Sequence, residues 1–150
     1  MSQSLARIYL HVVFSTKGHQ RYLKKDVCIE LCDYISKVIL ESGSYVVKIG
    51  GCEDHLHVLV DLSKTESLSS LIEIMKKRSS KWIKTKGKSY SDFSWQRGYG
   101  GFSVSQSGID IVKNYIDNQE EHHKKINFKD EFRMLLKKYN VSYDEKYVWD

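Results

Sequence analysis

Proline is absent from this chain of 150 residues. No Ser/Gly-rich stretch or internal repeat stands in for a proline-rich linker, so the expectation is one domain over residues 1–150. Long apolar runs are missing too, since none reaches the roughly 18 residues that a membrane-crossing helix needs. The opening residues, MSQSLARIYLHVVF, lack a basic segment followed by an apolar stretch and a small-residue cleavage site, which leaves the cytoplasm as the expected compartment. Cysteine is scarce, at three residues. Cys28 and Cys32 stand one helical turn apart and Cys52 sits in a Gly-Gly-Cys turn, so no CxxC pair exists to build a thiolate zinc site. Reduced, mostly buried thiols are expected instead. Acidic residues are missing from one long stretch, Ile74 to Ser91.

What remains is the composition of a globular protein, with 41% hydrophobic and 29% charged residues. A net charge of +5 and a pI near 9.0 admit a polyanionic partner without requiring one. Ten tyrosines and three tryptophans beside basic residues suit stacking on unpaired bases, although most aromatics serve a core.

Residues 6–14 (ARIYLHVVF) are rich in β-branched and aromatic types and predict a strand. Residues 24–42 carry Val27, Leu31, Tyr34, Ile35 and Val38 at helical spacing, with Gly43 as the C-cap. YVVKIGG (45–51) and DHLHVLVDL (54–62) predict a hairpin turning at Gly50, Gly51 and Cys52. Ser67 opens a second helix to about residue 85, and GYGGFSVS (98–105) gives a fourth strand. A third helix is expected from Gly108 to about Lys124, and Asn127 with Asp130 caps a fourth bearing Phe128, Phe132, Leu135 and Leu136. Tyr147, Val148 and Trp149 are expected to tie down the tail. The order strand, helix, strand, strand, helix, strand is the split βαβ arrangement of ferredoxin-like α+β folds. It implies an antiparallel sheet with helices on one face, plus C-terminal helices, and leaves the other sheet face free for a site.

Chemistry enters with His55-Leu56-His57. Alternation along a strand points both imidazoles to one face and Leu56, Val58 and Val60 to the other. Such a pair is either a polar sheet face or half of a metal site. Tyr115 and Gln119, four residues apart, share one side of the third helix, beside the apolar stripe Ile109, Val112 and Ile116. By position alone Tyr115 also fits an ordinary core-edge tyrosine. His122 and His123 follow near the helix end, where imidazoles favour the dipole; of the two, His122 is better placed for a site role. In the acid-free stretch, Lys77, Lys81 and Lys84 fall opposite the Leu68, Leu71, Ile72, Met75 stripe, and with Arg78 they are the candidate phosphate contacts. A solvated charged face is the competing reading.

Taken jointly, these features describe one reaction. A divalent ion held by imidazoles and an amide oxygen polarises a phosphodiester, and a nearby tyrosine attacks the phosphorus. HVVFSTKGHQRYL, GGCEDHLHVLVDL, LIEIMKKRSSKWI, FSWQRGYGGFSVS and YIDNQEEHHKKINFKDEF make the chain resemble, nearly end to end, the single-tyrosine HUH transposases of minimal insertion sequences. The REP-associated tyrosine transposases are also similar. The resemblance implies Tyr115 as nucleophile, His55, His57 and Gln119 as ligands of Mg2+ or Mn2+, and a homodimer acting on single-stranded DNA with a hairpin at the element end. It also implies a 5′-phosphotyrosine intermediate, with Tyr115 serving its own or a partner's histidines. Two other readings stand beside it. One is a two-histidine phosphoesterase, whose second His-x-Ser/Thr element is absent. The other is a single-stranded nucleic-acid binding module of the same fold without catalysis.

Overall fold

The computed structural model describes residues 2–150. Four strands, β1 (Tyr9–Ser15), β2 (Tyr45–Cys52), β3 (His55–Asp61) and β4 (Gly100–Ser103), form one sheet in the order β2-β3-β1-β4. Every neighbouring pair is antiparallel, and helices α1 (Lys25–Glu41) and α2 (Leu68–Lys84) make the crossovers. This is the α+β, split βαβ architecture expected from the order of elements. No helix among the described residues is long and apolar enough to cross a membrane.

Local chemistry sets the boundaries. Gly43 takes φ +94 behind α1, a left-handed conformation that costs a residue without Cβ nothing. Ser67 Oγ accepts from Ser70 N at 3.1 Å ahead of α2, and Asn127 Oδ1 accepts from Asp130 N at 2.9 Å ahead of the last helix, α5 (Phe128–Lys138). The expected third helix bends. It runs as α3 (Ile109–Asp117) and α4 (Gln119–His122), joined at Asn118, a residue whose short amide competes with the helix backbone. α-Type bonding resumes at once, with His122 N donating to Asn118 O at 2.9 Å.

β4 is shorter than expected at both ends, and the carbonyls just before it are engaged by a side chain. Lys76 Nζ donates to the carbonyls of Gln96 (2.8 Å), Arg97 (3.2 Å) and Gly98 (2.7 Å), and the side chain lies over the Phe14 ring. Lys76 thus points inward, apart from the basic run in which it sits. Replacing it with Met keeps the stem and removes the donors, which is expected to cost about 1–3 kcal/mol. A lower urea midpoint for Lys76→Met than for wild type checks this; an equal midpoint removes Lys76 as the anchor of this segment.

The sheet has two covered faces. On one, Val12, Phe14, Leu56, Val58 and Val60 pack against Leu31, Ile35 and Ile39 of α1 and Leu71, Ile72, Met75 and Ile83 of α2. On the other, Val13 and Phe102 pack against Phe128, Phe132, Leu135 and Leu136 of α5. The face expected to stay free is therefore closed by the C-terminal helix. Each such side chain contributes about 1.5–3 kcal/mol on burial, so α5 is held by its own apolar stripe. Gly100 admits it, since a Cβ there would stand 3.0 Å from Phe132 Cζ. Val148 and Trp149 join this cluster while Tyr147 stays exposed, and Asp150 O accepts from Gly98 N at 2.8 Å. The three cysteines are free and half-buried rather than mostly buried.

Candidate metal and nucleophile site

The site grows from β3. His55 and His57 lie on the α5 side of the sheet, both fully buried, opposite Ser15 and Val13 of β1. His11 falls on the same side by strand alternation. Across the sheet, His57 faces Gly50 of β2. A Cβ at Gly50 would stand 3.2 Å from Ile116 Cγ2, so the glycine lets α3 lie directly on the sheet. That docking brings the Tyr115 ring to 5.7 Å from His57 and 6.0 Å from His11, between centroids. Just past the bend at Asn118, Gln119 Oε1 lies 2.9 Å from His55 Nε2. α5 then adds Glu131, fully buried within its apolar stripe.

Glu131 ties these groups together. Its Oε1 lies 3.1 Å from His57 Nε2, 2.9 Å from His123 Nε2 and 3.4 Å from His55 Nε2. Its Oε2 accepts from Gln119 Nε2 at 2.9 Å and from the Tyr115 hydroxyl. The paired imidazoles are also held from behind. His55 Nδ1 donates to Asp54 Oδ1 at 2.7 Å, and His57 Nδ1 lies 2.8 Å from His11 Nε2. Both ε nitrogens therefore point inward, the orientation that such bonds behind the ring impose on metal-ligating histidines. One ligand atom each from His55, His57, His123 and Glu131 lies within 4.8 Å of all the others. Buried imidazoles and a carboxylate converging on one point, with an amide oxygen alongside, fit a divalent cation.

The electrostatics agree. Burial alone would lower the His55 imidazole, but its bonds to Asp54 and Glu131 hold it up at about 9. Burial dominates at His57 and His11, pulled down to about 4 and about 3. Burial would raise the Glu131 carboxyl, yet donation from His123, His55 and His57 holds it far below the usual carboxylate range. Asp54 and Glu131 are thus both held as carboxylates around the paired imidazoles, negative charge that favours a cation. Burial, then the charge of Glu131, pushes the Tyr115 phenol well above its ordinary value.

Of the residues expected from sequence, Tyr115, His55, His57 and Gln119 meet in this cluster. The basic residues do not join it. α2 lies on the opposite side of the sheet, with Lys77, Lys81 and Lys84 exposed and Arg78 paired to Glu41 at 2.6 Å. The ranking of the two following histidines reverses. His123 bonds Glu131 within the ligand cluster, whereas His122 Nε2 lies 3.5 Å from the Tyr115 hydroxyl and 3.4 Å from Glu131 Oε2. Sequence reasoning missed His11, Asp54 and Glu131. Two signs were available: the parity of His11 with Val13 and Ser15, and a lone carboxylate within the Phe128, Phe132, Leu135 stripe.

The comparisons with known proteins point the same way. The chain is similar to a protein of Deinococcus radiodurans R1 assigned as a transposase, at TM-score 0.62 and 19% identity over 79% of this chain and 98% of that one. It is also similar to a REP-associated tyrosine transposase solved with a REP hairpin, at TM-score 0.61 and 15% identity over 84% of this chain and 76% of that one. At such identities these likenesses show the fold. No functionally curated protein matches. The family model described as "Transposase IS200 like" matches residues 4–119, a stretch that runs from before β1 to Gln119 and holds the histidine pair and Tyr115. The chain belongs to the IS200-like transposase family.

Proposed function

We propose that this transposase cleaves and rejoins single-stranded DNA through a covalent 5′-phosphotyrosine on Tyr115, beside Mg2+ or Mn2+ held by His55, His57 and Gln119. The observation that carries the reading is the meeting of the Tyr115 hydroxyl and the inward-facing imidazoles on one buried carboxylate, Glu131. A divalent cation, when bound there, supplies positive charge that polarises a phosphoryl oxygen and favours the phenolate. The chain's own residues do the rest. Packing against His57 and His11 aims the Tyr115 ring, and Glu131 Oε2 fixes the direction of the hydroxyl by accepting its hydrogen bond. The Tyr115 oxygen–phosphorus bond forms as the bond from phosphorus to the 3′ oxygen breaks, and the proton lost by the phenol is balanced by the one that oxygen gains in leaving as a 3′-hydroxyl. A phenolate leaves more readily than an alkoxide, so a 3′-hydroxyl later reverses the step without an external energy source.

Tyr115 lies beside the histidines of its own chain, which favours action in cis. The hairpin held by the REP-associated relative supports a hairpin next to the cleavage site as the substrate here. A homodimer is the assembly that the family resemblance implies. The test is an SDS-stable protein–DNA adduct, formed with single-stranded DNA carrying a hairpin and the adjoining flank in the presence of Mg2+ or Mn2+. A chelator should abolish it; an adduct that survives chelation argues against the metal role.

Lys77, Lys81 and Lys84 are proposed to contact the DNA backbone, with Arg78 available only if it releases Glu41. Neutralising Lys77 and Lys81 to Gln should weaken binding and lower its salt slope by about 0.7 for each phosphate that is no longer neutralised. Binding isotherms at several salt concentrations measure this. An unchanged slope makes the run a solvated face.

A further inference from the structure

The family match ends at residue 119, yet the polar centre does not. His123 and Glu131 lie beyond that stretch and reach the same point as the histidine pair. Their geometry is informative. Ligand atoms about 2.0–2.2 Å from one ion stand ~3.2–3.6 Å apart in a tetrahedral shell. The distances from Glu131 Oε1 to the three ε nitrogens, 2.9, 3.1 and 3.4 Å, fall near that edge length. Glu131 is anchored for the task from both sides, because Phe128, Phe132 and Leu135 seat its helix and Gln119 and Tyr115 hold its second oxygen.

The donor set also bears on which ion is taken. Mg2+ seeks oxygen ligands in near-octahedral order and keeps several waters, whereas imidazole nitrogens suit transition-metal ions. Three imidazoles and one carboxylate, all buried or nearly so, make a nitrogen-rich site with little room for water.

We infer that Glu131 is a direct ligand of the divalent cation and, with His123, turns the centre into a nitrogen-rich site that selects a transition-metal ion such as Mn2+ over Mg2+. The inference rests on the proposed metal role of His55 and His57, and it goes beyond it by assigning ligands from the C-terminal segment. It also sets a requirement: a phosphate that reaches the ion must add to the shell or displace Glu131 from it.

The test titrates the metal-stripped full chain with Mn2+ alone, and separately with Mg2+, by calorimetry. The variants are His57→Ala and Glu131→Gln, the latter of the same shape and still able to bond Gln119 and Tyr115. Wild type should bind Mn2+ at least tenfold more tightly than Mg2+, and Glu131→Gln should lose Mn2+ affinity by about tenfold or more. Equal or tighter Mn2+ binding by Glu131→Gln, alongside loss in His57→Ala, overturns the ligand assignment while the metal role of the histidines stands. No Mn2+ binding by wild type overturns both. If Glu131→Gln fails to fold, Co2+ bound to wild type reports the same point. Intense visible absorption marks the nitrogen-rich site, four-coordinate or five-coordinate with Gln119, and the weak absorption of an oxygen-rich six-coordinate ion overturns it.

Discussion

Tyr115→Phe should leave single-stranded DNA binding intact and reduce adduct formation by roughly 10^3-fold or more. The substitution deletes one oxygen. The ring keeps its edge-on packing against His57 and His11, and Ile116 keeps α3 on Gly50, so neither the fold nor the docking of the helix should change. What goes is the hydroxyl proposed as the nucleophile, with its bond to Glu131. Denaturing gels with labelled DNA read the outcome directly. A surviving adduct removes Tyr115 from the role and turns attention to His122, whose Nε2 lies 3.5 Å from the Tyr115 hydroxyl. Full biological activity in Tyr115→Phe would instead favour a binding module. Mixing Tyr115→Phe chains with His57→Ala chains separates the two arrangements. Action in cis predicts that no adduct returns, whereas its return would place the tyrosine of one subunit on the histidines of another.

Glu131→Ala should be the most damaging single change to stability, at about 3–5 kcal/mol, because it removes one partner of a buried charged network. Glu131 is fully buried and is the common acceptor for His55, His57, His123, Gln119 and Tyr115. Without it the His55 imidazolium keeps Asp54 as its one carboxylate, with Gln119 Oε1 beside it, and His123 Nε2 and Gln119 Nε2 lose their acceptor in a space from which water is largely excluded. The exposed pair Arg133–Glu145 supplies the control. Its bonds are as short, but solvent replaces them at little cost, so Glu145→Ala should leave the urea midpoint nearly unchanged. Equal midpoints for Glu131→Ala and wild type would mean that water enters the centre freely, and the network would then contribute nothing to the fold.

The elements of the fold were legible because they depend on near neighbours in the chain. Ser67 and Asn127 cap helices three residues ahead of the amides they serve, and Gly43 supplies the left-handed turn behind α1. His55 with His57, and Tyr115 with Gln119, were legible for the same reason, since strand and helix periods place each pair on one side. The remainder depends on contacts between distant segments. Glu131 reaches His57 across 74 residues, and only the seating of α5 on the second sheet face makes that bond. His11 meets His57 through the register of β1 on β3, which no local pattern sets. Lys76 misleads in the opposite direction. Within a run of lysines it looks solvated, yet the backbone carbonyls before β4 draw it inward.

The sheet itself has a consequence for any nucleic acid that uses both of its sides. Lys77, Lys81 and Lys84 lie beyond the α2 face, and Tyr115 lies over the other. No straight strand can touch both, so a chain gripped at α2 must turn around the rim of the sheet before it arrives at the tyrosine. The contour length of that detour acts as a ruler. It sets the fewest nucleotides that can separate the held segment from the phosphate that is cut, whatever their sequence.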